Sequence, residues 1–164
     1  MASWRKVGLG LALAILVFDQ LSKWWILNFV MAPPKVIEVT PFFNLVLGYN
    51  RGVSFGMFHS GSDMGRWALA GLALVIVCVL AVWLWRAGKP WLAGAIGAII
   101  GGALGNVLDR VRFGAVVDFL DFHAAGYHWP AFNVADMGIT MGAAVLIWDS
   151  VFSGKSDSDR EETG

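Results

Sequence analysis

Charge is scarce in this sequence, and cysteine is nearly absent from it. Charged residues make up 15% of the 164 positions, and twelve Lys and Arg balance twelve Asp and Glu. A balanced chain without a basic run lacks the cationic face on which nucleic-acid binders rely, so nucleic acid is not an expected partner. The single cysteine, Cys78, cannot form an internal disulfide, so the fold is not disulfide-stapled and Cys78 says nothing of the compartment's redox state. Histidine is equally sparse. His59, His123 and His128 stand in loop-like or interfacial surroundings, none within a HExxH helix, so neither a metal site nor a cofactor is expected. Ser22 beside Lys23, and Ser54 before Phe55-Gly56, lack the strained elbow of a nucleophilic serine and read as structural.

What the chain has in abundance is apolar surface. With 57% hydrophobic residues and room for one domain, spanning 1–153, its main solvent is a bilayer. The N-terminal run has a basic start at Arg5-Lys6 but no small-residue cleavage pattern, and apolar character resumes after Asp19 and Lys23. It therefore reads as a retained first transmembrane helix over about 7–30 rather than a signal peptide. Trp67 to Trp85 offers nineteen uncharged residues with tryptophans at both ends, giving a second span over about 67–86. The third span, about 91–108, carries Gly97, Gly101 and Gly105 at intervals of four. Small residues so spaced let helices approach closely, which predicts the central helix of the bundle. A fourth span follows Pro130, over about 132–152, and the polar tail 154–164 is expected to be disordered.

Between the first two spans the texture changes. Ala32-Pro33-Pro34 ends the helix, and two stretches rich in β-branched and aromatic residues follow, Val36 to Val39 and Phe43 to Tyr49, with a turn at Asn50-Arg51-Gly52. Open strand edges cannot face lipid, so a β segment over about 35–58 belongs at the membrane surface. Phe55, Met57 and Phe58 within it read as packing residues or as an apolar lip for an acyl chain.

The most expensive stretch runs from Asn106 to Asp136. It joins two apolar helices yet carries Asp109, Arg110, Arg112, Asp118, Asp121 and Asp136. Each ionisable group at membrane depth costs about 2.5–3.5 kcal/mol on the insertion scale. Helical spacing puts Asn106, Asp109 and Arg110 on one face of the third span, and Asn133, Asp136 and Thr140 on one face of the fourth. Asp19 and Lys23, four apart in acid-before-base order, form a structural ion pair. Two carboxylates held together cannot both ionise easily, so one keeps its proton and the pair serves as acid and base for hydrolysis by an activated water. Spacing alone does not choose between Asp118 and Asp121.

Five segments, in order, resemble the motif set of the lipoprotein signal peptidase family, also called signal peptidase II. They are Asp19-Gln20-Leu21-Ser22-Lys23, Tyr49-Asn50-Arg51-Gly52, Gly101-Gly102-Ala103-Leu104-Gly105-Asn106 through Asp109-Arg110, Val116-Val117-Asp118-Phe119 and Phe132-Asn133-Val134-Ala135-Asp136. The resemblance implies a bacterial inner-membrane aspartic endopeptidase, and Arg5-Lys6 with the tiny Arg86 to Lys89 loop places both termini in the cytoplasm. Its fold would be an all-α four-transmembrane-helix bundle with a small extracytoplasmic β-cradle and a closing loop over about 109–131. Its partners would be membrane lipids and diacylglyceryl-modified prolipoproteins, cut before the lipidated cysteine. The family's catalytic aspartates fall on Asp118 and Asp136. Its supporting polar residues fall on Asn50, Asn106, Asp109, Arg110 and Asn133, with Arg110 pairing Asp109 or binding a lipid or substrate carbonyl. Arg51-Gly52-Val53-Ser54 departs from the smaller residues many members carry there. The competing readings are a proton or cation carrier, against which no internal repeat is apparent, and a non-catalytic lipid-binding scaffold.

Overall fold

The computed structural model describes residues 2–52 and 63–161. Ser54, Phe55, Met57, Phe58 and His59 lie outside the described residues. Four helices are long and apolar enough to cross a membrane, as the apolar runs predict. Helix α1 (Ala2–Trp25) continues through a wider π-helical turn, Ile26–Val30, before the Pro33-Pro34 break. Helices α2 (Asp63–Arg86), α3 (Pro90–Phe113) and α4 (Val134–Glu161) complete the bundle.

The glycine stripe makes α3 the buried helix, packed against α1, α2 and α4. A Cβ at Gly97 would run into the backbone of Gly8, one at Gly101 into Ala12, and one at Gly102 into Ala135. Backbones in such close contact gain dispersion that lipid tails, as apolar as leucine, do not offset. Leu80 and Leu84 of α2 pack with Ala12, Ile96 and Ile100 on the other flank of α3.

Among the described residues, the strands between the helices form an antiparallel sheet in the order β1-β2-β3-β4. Strands β1 (Ile37–Thr40) and β2 (Phe43–Asn50) fall where β-branched and aromatic residues predict them. At the end of β2 the Gly52 amide donates to Asn50 Oδ1 at 3.0 Å, and Gly52 has φ +92°. That is an Asx turn whose left-handed residue glycine suits.

The segment 109–131 is not the loop the sequence reading expects. Helix α3 runs on to Phe113 and stops at Gly114, left-handed at φ 76°, whose amide bonds back to Arg110 O at 3.2 Å. Val116–Ala124 then forms β3, the longest strand, paired with β2 from Phe43↔Phe122 to Asn50↔Val116. A tight turn through Ala125 and Gly126, both at positive φ, returns the chain as β4 (Tyr127–His128). Two positive-φ residues are what a two-residue hairpin needs, but Ala-Gly is a weaker sequence signal for it than Asn-Gly.

The tail also departs from expectation. The backbone of 154–161, expected to be disordered, continues α4 as helix. Once a helix exists, extending it avoids the nucleation cost, and polar and charged residues lie within about 0.7 kcal/mol of alanine in helix propensity.

Candidate active site

The site lies where α1, α3, β3 and the start of α4 meet. Asn133 caps α4: its Oδ1 accepts the Asp136 amide at 3.0 Å while Asp136 Oδ2 accepts the Asn133 amide at 3.2 Å. This reciprocal capping box satisfies two otherwise orphaned donors and fixes the Asp136 side chain against the helix end. The other Asp136 oxygen accepts Asn106 Nδ2 from α3 at 2.8 Å.

Asp118 arrives from the sheet. Phe132 forms a β-bridge to Leu120, its carbonyl accepting the Phe119 and Leu120 amides at 3.0 and 2.9 Å, so β3 is tied to the residue preceding Asn133. Asn133 Nδ2 then donates to Asp118 Oδ1 at 2.7 Å. One asparagine therefore bonds both aspartates. Asn50, with its oxygen held by the Gly52 amide, also hydrogen-bonds Asp118. Burial, and next the negative charge of Asp136, push the Asp118 carboxyl up to about 6 against the opposing bonds from Asn50 and Asn133.

Beneath this pair is a buried ionic cluster. Lys23 Nζ lies 2.8 Å from Asp19 Oδ2 and 2.7 Å from Asp109 Oδ2, with all three side chains essentially inaccessible. The expected Asp19–Lys23 pair is therefore part of a triad, and Lys23, not Arg110, is the partner of Asp109. Asp19 Oδ1 reaches across to the Ala135 amide at 2.9 Å, placing negative charge at the α4 N-terminus. Asp109 Oδ2 accepts the Val117 amide at 3.0 Å, while the Val117 carbonyl accepts Asn133 Nδ2 at 3.2 Å. Val117, the residue before Asp118, is thus held at both its amide and its carbonyl. Breaking such a buried pair by removing one partner typically costs about 3–5 kcal/mol, because the other charge is left uncompensated.

Arg110 donates Nη1 to Asn106 O at 3.1 Å and lies within electrostatic range of Asp136, Asp109 and Asp118. All nine residues singled out from the sequence therefore gather in one neighbourhood. Gln20 belongs with them although sequence reasoning passed over it. Its Nε2 donates to Asp109 Oδ1 at 3.0 Å and Asp19 Oδ2 at 3.1 Å. The available signal was a polar side chain inside an apolar span. Ser22 bonds its own helix, Oγ to Asp19 O at 2.8 Å, as a structural serine does.

Asp121 is placed apart. Strand side chains alternate faces, and an odd offset of three sends Asp121 to the face opposite Asp118. There it accepts Asn44 Nδ2 at 3.1 Å and lies 2.9 Å from His128 Nδ1. Burial pushes its carboxyl up, but His128 and Asn44 outweigh that and hold it below the usual carboxylate value.

Four apolar spans under an antiparallel sheet, with buried carboxylates at their junction, define a multi-pass membrane protein with a polar site at the end of its bundle. The family model described as signal peptidase (SPase) II matches residues 11–152. The chain belongs to the signal peptidase II family, a family of membrane peptidases. Among its relatives, the lipoprotein signal peptidase of Burkholderia vietnamiensis (strain G4 / LMG 22486) is 46% identical over 152 residues, covering 92% of this chain and 89% of that one. That of Methylobacterium sp. (strain 4-46) is 44% identical over 148 residues, 90% of each chain. A bacterial membrane enzyme solved by the in meso method at 2.3 Å superposes with a TM-score of 0.75 at 30% identity, covering 92% of this chain and 90% of that one.

Proposed function

We propose that this protein is an aspartic endopeptidase of the bacterial inner membrane that removes the signal peptide from diacylglyceryl-modified prolipoproteins, cutting before the lipidated cysteine. The observation that carries the reading is Asn133 bonding both Asp118 and Asp136 from its place at the α4 cap. Asp118, with its raised carboxyl, holds the proton of the pair and donates it to the scissile carbonyl. Asp136 is then the ionised partner, oriented by Asn106, and it takes a proton from the attacking water. Collapse of the tetrahedral intermediate returns a proton to the leaving amine, so no covalent enzyme intermediate forms. Asn50 and Arg110 border the pair and supply donors for the substrate backbone. The names of the relatives support the substrate class, and the span count supports a substrate delivered from the bilayer.

Purified protein in detergent is expected to cleave a lipidated prolipoprotein, read by the mobility shift of the product. Asp118→Asn and Asp136→Asn should each lower turnover by about 10²–10⁴-fold, the usual contribution of a positioned acid or base. Asp121→Asn should stay active. Normal turnover in either dyad variant, or loss only in Asp121→Asn, would overturn the assignment.

A further inference from the structure

A cavity of about 540 Å3 opens beside the outer ends of α1 and α3, lined in part by Gln20, Trp24, Asn28, Tyr49, Arg112 and Phe113. Neither aspartate of the proposed dyad lines it, nor does Asn106 or Asn133; it adjoins the peptide-cutting site only through Gln20 and Lys23 of the ionic cluster beneath the dyad. Its size falls within the range of about 300–1,000 Å3 common for small-molecule sites. Lys23 also reaches its wall, but that ammonium is engaged by Asp19 and Asp109.

Arg112 is differently placed. It is exposed in the last turn of α3, and its guanidinium makes no ion pair among the described residues. Nη1 donates to the neutral Gln20 Oε1 at 3.2 Å, and the guanidinium carbon lies 5.0 Å from the Phe113 ring centroid. Those contacts hold the planar fork in place and leave its positive charge unneutralised. A guanidinium presents parallel N–H donors that match two oxygens of a phosphate, and bonds between charged partners are about twice as strong as neutral ones. Trp24 and Phe113 are both exposed at the cavity rim, as aromatic side chains are at the level of lipid headgroups. Asn28, also exposed on the cavity wall, gives one amide hydrogen to the Trp24 carbonyl at 2.7 Å and keeps a second for a ligand.

We infer that this cavity binds the phosphate of a glycerophospholipid headgroup, with Arg112 as its cationic ligand. The inference does not rest on the proposed peptidase chemistry. A diacylglycerol unit lacks the phosphate, so the cavity selects against it. Bound lipid engages the same guanidinium that bonds Gln20, whose amide nitrogen in turn holds Asp19 and Asp109.

The test is native mass spectrometry of the full-length protein in detergent, titrated with short-chain phosphatidylglycerol, with diacylglycerol of the same chains, and with inorganic phosphate. One phosphatidylglycerol is expected to be retained saturably, with diacylglycerol not retained and inorganic phosphate far weaker. Arg112→Gln should weaken retention about tenfold or more, the loss of one charge-assisted contact. Asn28→Asp, which places a like charge in the cavity, should weaken it too. Retention of diacylglycerol equal to that of phosphatidylglycerol, or undiminished retention in both variants, would overturn the phosphate site. Inorganic phosphate binding as tightly as the lipid would overturn the lipid as its source.

Discussion

Asp118 is buried on β3 beside the charge of Asp136, and its carboxyl is pushed up from 3.8 to about 6. At about 1.36 kcal/mol per unit, ionising it above that range costs the folded state on the order of 3 kcal/mol. Because the folded value lies above the unfolded one, the native state is least burdened below pH 3.8 and loses stability as pH rises through 6. Asp118→Asn cannot ionise and keeps an oxygen for Asn133. Alongside its loss of turnover, it should therefore raise the melting temperature over wild type at pH 8, and the gap should close near pH 4. Thermal unfolding of both proteins in detergent at the two pH values checks this. The same titration would remove the general acid of the proposed mechanism, so wild-type kcat/KM should fall as pH rises above about 6. A melting temperature for Asp118→Asn below wild type at pH 8 would mean that the ionised carboxylate is stabilised by its surroundings.

Among the elements, α3 does the most positioning. A Cβ at Gly105 would stand 2.6 Å from Asp19 Oδ2 and 3.4 Å from Ala135 Cβ. Gly105→Ala should therefore push Asp19 away from Lys23 and the Ala135 amide. The expected cost is about 1–3 kcal/mol of stability, as for overpacking in a tight core, with a parallel loss of cleavage. Gly71→Ala on α2 meets open space and should be neutral or slightly stabilising, since alanine is the better helix former. Melting temperatures of the two variants, measured side by side, separate the effects. The glycine stripe, the four spans and β1–β2 were all legible, because hydrophobic length and small-residue spacing are local signals. Strand β3 was not. Its Val-Val-Asp-Phe-Leu-Asp-Phe run is rich in β-formers, but its partner β2 is distant in sequence and its hairpin turn is Ala-Gly. Missing the strand also left Asp121 beside Asp118 as a rival, since strand alternation is what separates them. Gln20 was hidden for a related reason: its partner on α3 is 89 residues away, and no helical spacing points to it.

At the scale of the whole molecule, the spans and the placement of charge bear on which way the bundle faces. The four spans among the described residues put the start of α1 and the end of α4 on one side, and the sheet with its site on the other. Raw counts of Lys and Arg do not decide between the two faces. Burial removes two from the sheet side, because Lys23 there is neutralised by Asp19 and Asp109, and Arg110 lies amid Asp136, Asp109 and Asp118. Neither acts as a free loop charge of the kind that orients a membrane protein. On the terminal side, Arg5 bonds the Trp85 carbonyl at 2.9 Å beside Lys6 and Arg86, while Lys89 is paired with Asp149 at 3.1 Å. We propose that the termini lie in the cytoplasm and the sheet outside, as the basic Arg5-Lys6 start and the short Arg86 to Lys89 connection imply. Single cysteines introduced into a Cys78→Ser background test this in intact bacterial cells. A membrane-impermeant maleimide should label Lys35→Cys, next to β1, and should reach Gly88→Cys, in the α2–α3 turn, only after the cells are opened. The reverse pattern would place the site in the cytoplasm, where a signal peptide on a translocated lipoprotein could not reach it.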